Sequence, residues 1–202
     1  MQVNAKGLTH RFPGTATLFR GLDLVLNAGD LVAVTGPSGS GKSTLLSIMA
    51  RWEMPVEGTV DWIGIESVGW VFQNPHGDAM RTTLDHVALP FLAKGMRRHQ
   101  ADAAALRIME RFGLRDLAMR PYGAVSGGEA QRLMLARAVA KAPSLLLVDE
   151  PTASLDPVAA ATVNTVLGQL AMAEAIVVVA THDPATRAAC PTHLDLGRFA
   201  DA

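Results

Sequence analysis

Apolar residues in this chain fall into short runs of strand length. Each run is closed by a polar or glycine-rich step, and the runs alternate with stretches of helical spacing. Val3 to Phe12 mixes polar and β-prone residues and ends at the turn signal Pro13-Gly14. Leu18 to Leu26 sets Leu22, Leu24 and Leu26 on one face of a second strand, before a turn at Asn27-Ala28-Gly29-Asp30. Leu31 to Thr35, Gly58 to Ile65 and Val68 to Phe72 read as further strands, the last ending on Gln73. Leu145 to Val148 and Ile176 to Ala180 are continuous apolar runs with the length of fully buried strands, and Thr192 to Leu196 completes the set. Helices are predicted from Thr44 to Ala50, Ala101 to Phe112, Gly127 to Lys141 and Asp156 to Ala173, and another opens at Pro184. Asp156 before Pro157 is a helix-start pair, an N-cap followed by proline at the first helical position. From Thr82 to Met134 there is no strand pattern, and Pro90, Gly95, Gly113 and Pro121 are expected to break the helical stretches. Strands alternating with helices, with polar residues at the strand C-terminal ends, predict an α/β sheet with its site along that edge.

One of those strand ends carries specific chemistry. Gly36-Pro37-Ser38-Gly39-Ser40-Gly41-Lys42-Ser43 lies between the apolar run 31–35 and the helix opening at Thr44. This is the strand–glycine loop–helix context of a phosphate-binding P-loop. Glycines let successive backbone N–H groups turn inward as an anion nest, and the helix N-terminus adds unpaired N–H groups. Lys42 supplies a cation for the β- and γ-phosphates, and the Ser43 hydroxyl is a ligand for Mg²⁺.

Four more features sit at predicted strand or helix ends. Asp149 follows a buried strand, where a carboxylate orders Mg²⁺ and its waters, and Glu150 next to it can polarise an attacking water. Gln73 offers a neutral amide that can ligate the cation and hold a water. His182 ends the strand 176–180 and could donate to a γ-phosphate. Val125-Ser126-Gly127-Gly128-Glu129 opens a helix with a second glycine pair, a second phosphate nest that one nucleotide does not require.

Composition narrows the field. The chain has 202 residues with a net charge of -1, which gives no electrostatic basis for nucleic acid as the main partner. The single cysteine, Cys190, cannot form an internal disulfide, consistent with a reducing compartment. No apolar run approaches the roughly 20 residues needed to cross a bilayer, and no signal peptide is visible. The expectation is a soluble, cytoplasmic protein. A mean hydropathy of +0.21 suggests apolar surface that a partner covers.

From about Gly7 to Phe199 the chain resembles the nucleotide-binding subunits of ABC transporters. Gly36 to Thr44 looks like the Walker A loop, including Ser38, Gly39, Ser40, Gly41, Lys42, Ser43 and Thr44. Gln73 looks like the Q-loop, and Ser126-Gly127-Gly128-Glu129 like the signature motif. Asp149-Glu150 resembles Walker B with the catalytic glutamate, Ser154-Leu155-Asp156 the D-loop, and His182 the switch histidine. Phe12 stands where the family places an adenine-stacking aromatic, although an apolar core position would suit it equally. The pattern departs from the family in Val125, in Glu129 and in the short path from Lys42 to Gln73.

The resemblance implies a RecA-like P-loop NTPase core, about 1–73 and 136–202, with a small N-terminal antiparallel β-subdomain and a helical subdomain of about 80–134. It also implies ATP and Mg²⁺, with Ser43, Gln73 and Asp149 at the metal. Ser126, Gly127 and Gly128 would act on ATP bound to a second subunit, a homodimer or a heterodimer. A membrane-spanning permease would dock near Met80 to Leu92, holding the chain on the inner face of the cell membrane. Thr83 to Pro90 followed by Gly95 looks most like the lipoprotein-releasing and macrolide-exporter type, whereas the short stretch before Gln73 is closer to some importers. A soluble ABC ATPase of DNA repair or translation, and a small-molecule P-loop kinase, are the competing readings.

Overall fold

A computed structural model of the chain describes residues 1–200. Two sheets form, and the difference between them follows from the apolar patterning. Strands β1 (Gln2–His10), β2 (Phe19–Asn27) and β4 (Glu57–Ile63) make an antiparallel sheet in the order β2-β1-β4. These strands alternate, with Val3, Ala5, Leu8, Leu22 and Leu26 on the buried side. Strands β5 (Val68–Val71), β6 (Leu145–Asp149), β7 (Ile176–Ala180), β3 (Leu31–Thr35) and β8 (Thr192–Asp195) form the parallel sheet, in that spatial order.

Every residue of β6 and β7 is buried, because this sheet is covered on both faces. Alternate residues therefore join different cores. Leu145, Leu147, Ile176 and Val178 face helix α1 (Lys42–Met49) and the antiparallel sheet. Leu146, Val148, Val177 and Val179 face helices α2 (Thr83–Ala93), α3 (Arg98–Arg111), α4 (Gly127–Lys141) and α5 (Pro157–Met172). Short helix α6 (Pro184–Ala189) leads into β8. No described helix is long and apolar enough to cross a membrane.

Several boundaries differ from the sequence reading. Pro90 lies inside α2 rather than breaking it. Thr82 and Asp85 form a capping box that fixes the start of α2, and Thr83, Leu84, His86, Val87 and Ala88 are buried along it. That packing outweighs the one backbone hydrogen bond the proline removes. Helix α1 begins at Lys42, two residues early, because the glycine nest feeds directly into it. Strand β5 stops at Val71, so Gln73 stands on a bend beyond the sheet. Within the segment Met80 to Leu92, Leu84 and Val87 are core residues, whereas Met80 is 88% exposed.

One glycine is a steric necessity. Gly58 adopts φ +89° where β4 crosses the irregular step in β1, and a Cβ there would lie 2.4 Å from the Lys6 carbonyl oxygen. Gly58→Ala is expected to destabilise the protein by about 1–3 kcal/mol through strain and displaced backbone. Urea unfolding reads this as a lowered midpoint, and an unchanged midpoint would contradict it.

Candidate nucleotide site

Register builds the site. Val34 and Asp149 both pair with Ala180, so β3, β6 and β7 end at one level. The residues that follow are Gly36 to Ser43, Glu150, and Thr181-His182. Parallel pairing thus converts three distant segments into one wall.

The P-loop folds as a nest. Gly36, Gly39 and Gly41 take φ values of +144°, +80° and +90°. At Gly36 the backbone conformation itself disfavours any side chain, and a Cβ there would also crowd the Ser40 Oγ at 2.7 Å. Gly41 caps α1 in the left-handed conformation without a side-chain hydrogen bond, which leaves first-turn N–H groups for an anion. Lys42 Nζ donates to the carbonyls of Gly36 (3.0 Å) and Pro37 (3.1 Å), arching back over the loop. The Ser40 hydroxyl is buried without a hydrogen-bond partner among the described residues. Such an orphan in a nest of N–H groups fits a phosphate oxygen.

Ser43 Oγ donates to Asp149 Oδ2 across 2.5 Å. Burial pushes the Asp149 carboxyl up from its ordinary range, against the hydrogen bond from Ser43. A hydroxyl and a desolvated carboxylate at hydrogen-bonding distance are the hard oxygen donors that suit Mg²⁺.

Glu150 is 7% exposed and takes φ +47°, a left-handed conformation rare for a residue with a Cβ. Its Oε1 lies 2.7 Å from His182 Nδ1, and its Oε2 lies 3.4 Å from both the His182 backbone N and the Thr181 Oγ1. The histidine side chain is 70% exposed, so the pair links a buried carboxylate to the open cleft. Behind it, Thr152 Oγ1 and Thr186 Oγ1 are 2.9 Å apart, and both donate to Asp183 Oδ2. Those bonds, led by the one from Thr186, hold the Asp183 carboxyl below the usual range.

The other candidates stand apart. Ser126 and Glu129 form a capping box at the start of α4, with Ser126 N donating to Glu129 Oε2 at 2.7 Å. Glutamate at this departure from the family pattern therefore secures the helix start. No hydrogen bond among the described residues joins Ser126, Gly127 or Gly128 to the P-loop. Instead, a Cβ on Gly128 would meet the Ser154 carbonyl at 3.2 Å. Gln73 is exposed and makes no hydrogen bond to Ser43 or Asp149 among the described residues. Phe12 is 42% exposed, which excludes the core position, and packs edge-on to His10 at 4.9 Å between ring centroids.

Two hollows flank these residues. A polar cleft of about 300 Å³ beside the P-loop is lined by Thr35, Gly36, Thr181, His182, Arg187 and Asp195. A larger apolar groove of about 560 Å³ lies between β5, α2 and α4. Trp52, Trp70 and Phe72 stack along it, Trp52 on Trp70 at 4.7 Å and 11°. Pairing of those rings depends on the fold bringing the turn after α1 against β5, so no local pattern announces it.

Comparison with known proteins agrees with this geometry. The ABC transporter family model matches residues 19–153. The lipoprotein-releasing system ATP-binding protein LolD of Ruegeria sp. is 37% identical over 85% of this chain and 82% of its own length. The L-cystine transport system ATP-binding protein TcyN of Escherichia coli is 34% identical over 90% of this chain and 80% of its own length. An ATP-binding cassette solved as a dimer in a post-hydrolysis state, bound to ADP and Pi, superposes with a TM-score of 0.86 at 28% identity. It covers 96% of this chain and 93% of the solved one. With the nest, the Ser43–Asp149 contact and the Glu150–His182 pair on one wall, the chain belongs to the ABC transporter family as an ATP-binding, ATP-hydrolysing subunit.

Proposed function

We propose that the chain drives a separate membrane-spanning permease through ATP-dependent closure of a two-subunit assembly, and that it sits peripherally on the inner face of the cell membrane. One observation carries the proposal. The chain holds two phosphate nests, and only one of them, Gly36 to Ser43, belongs to the wall that carries Asp149, Glu150 and His182. A second copy related by a twofold axis would bring Ser126, Gly127 and Gly128 to the first copy's nucleotide. Two nests of that kind account for both glycine motifs, which a small-molecule kinase does not. The solved cassette with 28% identity is itself a dimer, which supports the same pairing.

In this reading the P-loop N–H groups, with Ser38, Ser40 and Thr44 around them, hold the phosphates. Lys42 leaves its two carbonyl partners for the β- and γ-phosphates, and Phe12 offers a ring face to adenine. Ser43, Asp149 and Gln73 would hold Mg²⁺, which neutralises phosphate charge when bound. Glu150 accepts the proton of the attacking water as its oxygen bonds to the γ-phosphorus and the bond to the bridging oxygen breaks, releasing ADP. His182 orients that carboxylate through the 2.7 Å contact and steadies the γ-phosphate from the cleft.

The apolar groove suits the permease. Its aromatic wall of Trp52, Trp70 and Phe72 faces Leu89 and Pro90 of α2, so the docking surface extends beyond the segment Met80 to Leu92. Arg137, half-buried in the groove, makes no hydrogen bond or ion pair among the described residues, which favours a partner segment carrying a carboxylate. The helical region of about 80–134 supplies α2 and carries the approach to the signature nest, and we read it as the subdomain that responds to the partner. The lipoprotein-releasing resemblance makes that class of membrane subunit the first to pair with the chain. The permease selects the cargo.

Three outcomes are expected. Glu150→Gln retains ATP affinity but lowers kcat by about 10²–10⁴-fold, the usual range for a positioned proton acceptor. Turnover at the parent rate would refute the role given to Glu150. Lys42→Ala weakens ATP binding by about 10–100-fold, the loss of a charge-assisted contact, measured by titration calorimetry. Trp52→Ala and Arg137→Glu leave the ATPase rate of the isolated chain unchanged and reduce its stimulation by membrane vesicles from the native cell. Undiminished stimulation would place the docking surface elsewhere.

A further inference from the structure

The segment leaving Gln73 is fastened along its length to the segment that enters the second nest. Gly123 N–H donates to the Ala79 carbonyl at 3.0 Å, Tyr122 N–H to Arg81 at 2.9 Å, and Thr83 N–H to Arg120 at 2.9 Å. One side chain, His86 in the first turns of α2, touches both segments and is 5% exposed. Its Nδ1 lies 2.8 Å from the Thr82 carbonyl oxygen, and its Nε2 lies 3.0 Å from the Asp78 backbone N. A carbonyl only accepts and a backbone N–H only donates. Nδ1 therefore carries the proton, and Nε2 presents its lone pair to Asp78. On the far side, the His86 ring lies 5.1 Å from that of Tyr122, tilted by 30°. Gly77 is pressed into the same junction, where a Cβ would fall 2.8 Å from His86 Nε2 and 2.8 Å from two Tyr122 ring carbons.

These contacts distinguish His86 from an ordinary buried histidine on a helix face. Only its bond to Thr82 is local. The other contacts reach back to Gly77-Asp78, just past the groove-lining Pro75 and His76, and across to Tyr122. Tyr122 lies a few residues before Ser126, which caps α4 and opens the Gly127-Gly128 nest. Without the ring, strip 77–83 would still run beside 120–123. It would lose the contact that stops Gly77 and Asp78 from lifting away when the strip is pushed.

We propose that His86 is a positioning residue for ATP-driven closure. It pins the strip after Gln73 to Tyr122, so that a displacement of that strip reaches Ser126-Gly127-Gly128 instead of dissipating in the loop. The inference rests on the reading of those three residues as the half-site that acts on a second subunit's ATP. His86 touches neither nucleotide nor metal in this arrangement, so its effect falls on closure and not on the P-loop.

The test uses full-length protein carrying Glu150→Gln, which holds ATP without turning it over. Two further variants are compared in that background. His86→Phe keeps a ring against Tyr122 but removes both hydrogen bonds. His86→Gln supplies an acceptor near the position of Nε2. Dimer formation against ATP concentration is followed by sedimentation, ATP binding to the dilute monomer by calorimetry, and amide exchange at Tyr122 and Gly123 by mass spectrometry. His86→Phe is expected to raise the ATP concentration for half-maximal dimerisation by about tenfold, the scale of one lost hydrogen bond. Monomer ATP affinity should be unchanged, exchange at Tyr122 and Gly123 should quicken, and His86→Gln should restore both properties. Dimerisation of His86→Phe at the parent ATP concentration would overturn the proposal. A parallel fall in monomer ATP affinity would also overturn it, as the mark of a general structural role. If Glu150→Gln alone fails to dimerise with ATP, the two-subunit reading fails first. The pin then stands or falls on whether exchange quickens at Tyr122 and Gly123.

Discussion

The chemistry of this protein depends on three buried strands held parallel and in step. Val34, Asp149 and Ala180 sit at one level because β3 and β6 both pair with β7, and that level places the P-loop, Glu150 and His182 side by side. The register is hard to slip. β6 and β7 are buried on both faces, and their alternate residues pack into two different cores. A one-residue shift would exchange those faces and force side chains shaped for the helices against the antiparallel sheet. It would also separate Ser43 from Asp149, a contact that spans the interval from α1 to the end of β6. Packing and site geometry are the same constraint seen from two sides.

That constraint explains what the sequence disclosed. Fully apolar runs ending in Asp149 and Thr181 are legible because burial on both faces removes every polar residue until the strand emerges. The glycine loop is legible because its φ values exclude most other residues. Local pattern was a poorer guide where tertiary contact decides. Pro90 reads as a breaker, yet α2 carries it, held by its cap and its buried face. Leu84 and Val87 are as apolar as the exposed Met80 and Leu89 nearby, and only the fold shows that α2 turns them inward. The apolar groove was half visible. Its α2 side lay within the expected segment, whereas Trp52 and Trp70 meet only after the chain has passed through β4 and returned.

Glu150 shows how a strained residue is kept in place. A left-handed backbone at a glutamate is unfavourable by itself. Its backbone N–H is engaged by the Ala180 carbonyl, and its carboxylate by Thr181 and His182. All three partners belong to the end of β7. The strain is thus held by the neighbouring strand, and buried Thr152 and Thr186, with half-buried Asp183, tie the turn after Glu150 to α6. Histidine and glutamate, far apart in sequence, become a pair because two parallel strands end together.

The two phosphate nests differ in what anchors them, and this difference gives the molecule its mechanical character. The P-loop is continuous with α1, whose Leu45, Leu46, Ile48 and Met49 are buried against the sheet. It cannot shift without disturbing the core that sets the strand register. The nest at Ser126 is anchored instead to α4 by its own capping box, and to the segment after Gln73 by the backbone bonds at Ala79, Arg81 and Arg120. None of those three bonds is a rung of the parallel sheet. Closure around a nucleotide needs one fixed wall and one that travels. In the proposed closure the buried parallel sheet is the fixed wall, and the strip that joins the groove to the second nest is the one assigned to travel.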